Sequence, residues 1–213
     1  MKSVTENTPT SFAARVVSLG LRRPADIQNF LDALPYNDRA VCKSPLRVLL
    51  EGSAHCAEGA YFAAAVLRVL GGRPLVVDLA AEEDDDHILA VYAEGGFWGA
   101  VAKSNTTLLR GRDPVYRSPR ELVMSYVDGY FNVDGFRSLR GWSRPADLSR
   151  FDDRNWVGTD EDLEFIGDHL TAARHYPALP AGFAPGRASP ELMRACFLGA
   201  KASGLYKPGS PRP

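Results

Sequence analysis

Cysteine is scarce in this sequence of 213 residues: three, at Cys42, Cys56 and Cys196. An odd number without a C-x-x-C pair argues against a disulfide framework and against a structural zinc site, so the three read as free thiols. Net charge is almost absent too. The 25 basic and 26 acidic residues leave a formal charge of −1, so no overall field draws nucleic acid or an anionic lipid surface to the molecule. No apolar stretch approaches the ~18 residues that cross a bilayer, and the start, MKSVTENTPTSFAARVV, lacks the basic region and sustained apolar run of a secretory leader. The chain is therefore expected in the cytoplasm, with neither a membrane nor nucleic acid as partner. Internal repeats are missing as well. Apolar residues are not: they make up 45% of the chain against 24% charged, outside the regime of disorder.

The pattern along the chain predicts a flexible start at 1–10, a domain over 11–180 with its core at about 40–131, and a linker, helix and tail over 181–213. Amphipathic helices are predicted at 12–19 and at 24–34, where Pro24 suits a first turn and Ile27, Phe30, Leu31 and Leu34 share one face. CAEGAYFAAAVLRVLGG is a run of good helix formers closed by Gly71 and Gly72. Three strands follow at 74–80, 87–92 and 97–102, the last two joined by a turn at 93–96. Ser118 and Pro119 cap a helix predicted to run to 131; the stretch 132–155 reads as irregular surface, and further helices fall near 160–175 and 190–202. The fold class is α+β: a small antiparallel sheet packed on the helix that Cys56 opens, with helices before and after.

Cys56 is the residue with chemistry. At a helix N-terminus the first N–H groups lack partners and the macrodipole is positive, and both favour thiolate. A strand that brings an imidazole within reach makes the pair an activated nucleophile for thiol acyl transfer, and the free N–H groups supply part of an oxyanion hole. His87 opens the second strand and is the one histidine predicted on the sheet; His169 and His175 fall in the peripheral helix, and His55 reads as a helix cap. The plainer account of Cys56 is a small buried hydrophobe, and of His87 a strand-edge histidine.

The segments SAHCAEGAYFAAAVLRVLGGRPLVVDL and DDHILAVYAEGGFWGAVAKSN resemble the core of the transglutaminase-like, papain-related superfamily. There a helix-opening Cys, a strand His and an Asp four residues after a Trp on the next strand form a triad. The resemblance covers roughly residues 50–105, with Cys56, Gly71-Gly72-Arg73-Pro74, His87 and Trp98 in matching places. Stretches such as DPVYRS are similar to a bacterial branch of the family. Ala102 stands where the family has the Asp, and Asn105 is the nearest group able to orient His87, because papain-like enzymes use an asparagine in that role. The resemblance implies cysteine-dependent acyl transfer, or amide or thioester hydrolysis, by Cys56, His87 and Asn105, without a metal or cofactor. The alternative is a catalytically degenerate member that binds a peptide or partner in the same cleft.

Trp98, Arg110 and Arg112 are candidate substrate contacts. Arg110, Arg112, Arg117 and Arg120 cluster after the strands, where guanidinium groups would suit a small-molecule or peptide substrate bearing a carboxylate; salt bridging to Asp113 and Glu121 is the other account. The acidic run 82–86 lacks the spacing of a calcium loop and reads as solvated. Where the last forty residues pack is left open.

Overall fold

Apolar residues spaced at helical period in the first third, and alternating in the second, build the fold around one sheet. The computed structural model describes residues 11–209. The expectations for 1–10 and for the end of the tail therefore lie outside the described residues. Four helices come first, α1 (Phe12–Ser18), α2 (Pro24–Ala33), α3 (Pro45–Glu51) and α4 (Cys56–Val69). Strands β1 (Leu75–Ala81), β2 (His87–Glu94), β3 (Phe97–Val101) and β4 (Arg112–Tyr116) follow, then α5 (Pro119–Met124), β5 (Leu139–Ser143), β6 (Ala146–Asp147), α6 (Glu164–Thr171), β7 (His175–Pro177) and α7 (Pro190–Phe197). The sheet is antiparallel throughout, in the order β4-β3-β2-β1-β5-β7 with β6 beside β1. The arrangement is a mixed α+β fold.

The hairpin between β2 and β3 follows from its two glycines. Glu94 pairs with Phe97, so Gly95 and Gly96 alone make the turn, both with positive φ (59° and 86°) as a type I′ turn demands. Along β1 and β2, alternate side chains feed two cores. Val76, Ile88 and Ala90, with Val101 of β3, belong to the core of α4, whose residues from Ala60 to Leu67 are buried against the sheet, α1, α2 and α3, and α6 joins the same core beside β1. Val77, Leu79, Leu89 and Val91 face the other way, onto Leu122, Val123, Tyr126 and Tyr130.

Three expectations are corrected. The stretch 132–155 holds β5, a central strand paired with β1 at Leu79↔Trp142 and Ala80↔Gly141. Its inward residues are Leu139, Gly141 and Ser143, so a single large apolar side chain marks it in the sequence. The helix after Ser118 stops at Met124, where Ser125 Oγ turns back to donate to Leu122 O (2.6 Å), and continues as a single 3₁₀ turn at Val127–Gly129. His175 is on β7, not in a helix: its Nε2 meets Asp78 Oδ2 at 2.9 Å and ties the sheet's edge strand to β1.

Candidate active site

The N-terminus of α4 is fixed from below by a buried carboxylate. His55 is the N-cap, its ring Nδ1 accepting from Glu58 N, and Glu58 Oε2 accepts in return from His55 N (2.8 Å). Glu58 is fully buried and also accepts from Lys43 N (2.9 Å) and from Asn37 Nδ2 (3.0 Å), so the loop before α3 is pinned to the turn that carries Cys56. Sequence reasoning passed over Glu58, although the spacing of the box, His55 to Glu58, carries its signal.

Cys56 is half-buried, with its sulfur directed at the start of β2. Sγ lies 4.0 Å from Asp86 O and faces the N–H groups of Ala57 and Ile88, so it meets the backbone on both sides of His87. The Tyr36 hydroxyl takes a hydrogen bond from the Cys56 backbone N–H and is a neighbour the sequence did not suggest. Burial pushes the thiol up to about 12, with Asp85 adding to the rise while the two amides oppose it.

His87, 3% exposed, projects on the Tyr130 side of the sheet, its ring edge-on to that tyrosine with centroids 6.3 Å apart. Its Nε2 is 2.8 Å from Leu109 O. A carbonyl only accepts, so Nε2 carries the proton and Nδ1 is left as the basic nitrogen. Burial lowers the imidazole to about 4, against the help of the Leu109 carbonyl, with the Arg112 charge contributing to the fall. At neutral pH the resting groups are thus neutral thiol and neutral imidazole, rather than the ion pair that the sequence led one to expect. Thiol and imidazole reach one cleft from two sides of the first residues of β2; no hydrogen bond joins them among the described residues.

That cleft is lined by Tyr36, Cys56, His87, Asn105, the acidic loop Asp84, Asp85 and Asp86, and the C-terminal residues Phe197, Gly204, Leu205 and Tyr206. The acidic run is not simply solvated. Asp84 Oδ2 accepts from Ser138 Oγ (2.6 Å), Asp86 Oδ1 from Ala81 N (2.7 Å), and Asp85 O from Tyr130 (2.6 Å). Burial raises Asp84 to about 6.

The remaining candidates take other roles. Asn105 does line the cleft, but its amide is spent on the C-terminal segment: Nδ2 donates to Lys201 O (2.8 Å) and Gly204 O (2.9 Å), and Oδ1 accepts from Lys201 N (2.8 Å). The orienting bond to His87 comes from the Leu109 backbone instead, a partner that no side-chain pattern announces. Ala102 is fully buried, its backbone paired with the Gln28 side chain. Arg112 is structural: its guanidinium stacks 4.0 Å from the Tyr126 ring centre and donates to the carbonyls of Leu108, Arg110 and Gly111 and to Ser125. Arg110 pairs with Asp32 (3.4 Å). Trp98 packs into the core on the Tyr126 side and is not part of the cleft lining.

Among the described residues no group of three or more His, Cys, Asp or Glu side chains is placed to hold a metal ion, and no helix is long and apolar enough to cross a membrane. No family model matches the chain, and no curated protein is significantly similar to it.

Proposed function

We propose that the protein is a cysteine-dependent acyltransferase or amidase with a transglutaminase-like core, acting on a small or peptide-like amide or thioester. The observation that carries this reading is the convergence at the start of β2. The helix-opening thiol faces two backbone N–H groups, Ala57 and Ile88, and the adjacent His87 has Nε2 engaged by Leu109 O, which leaves Nδ1 to act as base. In the proposed step Cys56 Sγ bonds to the substrate carbonyl carbon while its proton passes to His87 Nδ1. Charge on the former carbonyl oxygen falls to the Ala57 and Ile88 N–H groups that face the sulfur at rest, because the other N–H groups of the first turn of α4 are taken by Tyr36 and His55. Collapse returns that proton to the departing amine or thiol, and water or an amine then resolves the acyl-enzyme. Leu109 O does what the family's Asp would do for tautomer and orientation, without its negative charge, so the imidazolium is less stabilised and turnover is expected to be slow.

A second reading has a specific observation behind it. Both groups rest neutral, at about 12 for Cys56 and about 4 for His87, as suits a degenerate member that binds a peptide without cleaving it. Incubation with a small acetyl thioester, followed by peptide mass spectrometry, separates the two. An acetyl adduct on Cys56 that disappears in Cys56→Ala and falls at least about tenfold in His87→Ala is the result expected of an enzyme. Acetylation spread evenly over Cys42, Cys56 and Cys196, or insensitive to His87, leaves the binding module.

A further inference from the structure

The cleft beside Cys56 holds about 60 Å³, room for a few water molecules and too little for an acyl donor with a peptide-sized leaving group. Part of its wall is the chain's own C-terminal segment. Past α7, Phe197 packs edge-on against Phe131, with ring centres 5.8 Å apart, and the chain crosses the cleft through Ala202–Gly204 to Leu205 and Tyr206. Its attachment is polar and specific. Asn105 bonds both the N–H and the C=O of Lys201, as a neighbouring strand would. The same device appears once more among the described residues, where Gln28 holds the N–H (3.0 Å) and C=O (2.9 Å) of Ala102. Lys201 and Leu205 are extended (φ −77°, ψ 118° and φ −104°, ψ 132°) and flank a single 3₁₀ turn at Ala202–Gly204, closed by Gly204 N donating to Lys201 O (3.0 Å). A second anchor is Asp38, which accepts from Ser203 Oγ (2.5 Å) and pairs with Lys201 Nζ (2.7 Å). Between them sits Gly204, where a Cβ would come within 2.7 Å of the Tyr36 ring and 3.0 Å of Asn105 Nδ2.

We infer that the Cys56 cleft is a groove for a peptide that makes a single tight turn with a glycine at the position of Gly204, held shut in cis by residues 201–206. Asn105 is the backbone clamp that a substrate or partner peptide would use in their place. A carboxamide that satisfies both backbone groups of one residue recognises a peptide irrespective of its side chain, and the contact of Gly204 with Tyr36 supplies the selection for glycine. What the groove does with such a peptide rests on the acyl-transfer reading; its occupancy does not. Displacing the segment would also readmit water to Cys56 and relieve the burial that keeps its thiol protonated.

The test reads access to Cys56, not turnover. Second-order iodoacetamide rates are measured at Cys56 and Cys42 in the full chain, in Gly204→Val, which drives the segment from Tyr36, and in Asp38→Ala, which removes the second anchor. Cys56 should react at least about tenfold faster in both variants, with Cys42 unchanged. The synthetic peptide AKASGLYK, the sequence of residues 200–207, should slow Cys56 in Gly204→Val back towards wild type, and its Gly→Val counterpart should not. Cys56 rates within twofold of wild type in both variants, a rise shared equally by Cys42, or equal protection by the two peptides would overturn the inference. An opened Cys56 that protects with the peptide yet accepts no acetyl group would sink the acyl-transfer reading and leave the groove.

Discussion

Replacing Glu58 by glutamine changes one atom beneath the nucleophile and should be felt across the molecule. In the native protein Oε1 accepts from Lys43 N (2.9 Å) and Oε2 from His55 N (2.8 Å), while Asn37 Nδ2 lies 3.0 Å from each oxygen. Whichever way a carboxamide is turned, its NH₂ meets a backbone N–H, so one buried donor loses its acceptor and a second donor is forced against it. A lost bond to a charged acceptor costs about 1.5–3 kcal/mol, and the opposed donors add to it, for about 2–4 kcal/mol in all. For a chain of this size each kcal/mol lowers Tm by roughly 2–4 °C, so Glu58→Gln should melt about 4–16 °C below wild type. Glu58→Ala, which strands the donors of Asn37, Lys43 and His55 together, should do worse. Thermal unfolding followed by circular dichroism gives the number, and hydrogen exchange gives the place: the amides of Lys43 and His55 should lose protection before the rest of the sheet does. A Glu58→Gln protein that melts within about 1 °C of wild type would refute the claim that this carboxylate fixes the turn carrying Cys56.

Arg112→Ala should cost about 3 kcal/mol in chemical denaturation, because the carbonyls of Leu108, Arg110 and Gly111 lose their donor, and Arg112→Lys should recover less than half of it, since an ammonium cannot fork among them; full rescue by lysine would contradict that assignment. Ala102→Asp, which adds a carboxylate at the position where the proposed transglutaminase-like triad would have one, places it where no solvent reaches and should lower stability by about 2–4 kcal/mol and any acylation with it; a gain in Cys56 acylation would mean that Leu109 O is a poor orienter. His87 stands at about 4 in the folded protein against 6.5 unperturbed. Between these values the unfolded chain binds a proton that the native one refuses, so native stability falls as pH drops from about 6.5 to 4, by on the order of 3 kcal/mol at full extent. Denaturation midpoints for His87→Gln should accordingly show a shallower acid-side decline than wild type, and parallel curves would refute it.

Much of the frame was legible in the residues because it rests on local rules. The period of Ile27, Phe30, Leu31 and Leu34, the proline at the first turn of α2, and the closing glycines of α4 set those helices to within a residue or two. Alternation with a two-glycine turn set the β2–β3 hairpin. Position alone put Cys56 at a helix N-terminus and His87 at the head of the next strand but one. The strand β5 escaped because burial there depends on what lies opposite: Gly141 and Ser143 face inward only once β1 is beside them.

The sequence by itself determined which elements form and which two side chains have chemistry to offer, since helix period, strand alternation and capping act within a few residues of chain. Tertiary structure decided everything that needs atoms far apart in sequence to meet. It made Leu109 O the partner of His87, because a backbone carbonyl has no signature in residue type. It made Arg112 a brace, because its fork closes on four residues, Leu108, Arg110 and Gly111 of one loop and Ser125 at the end of α5. It gave Asn105 to residue 201 and not to residue 87, and so laid the chain's own end across Cys56. The charge states of that cysteine and of His87 come from the same source, because burial, which sets them, is a property of the folded surroundings and not of the residues themselves.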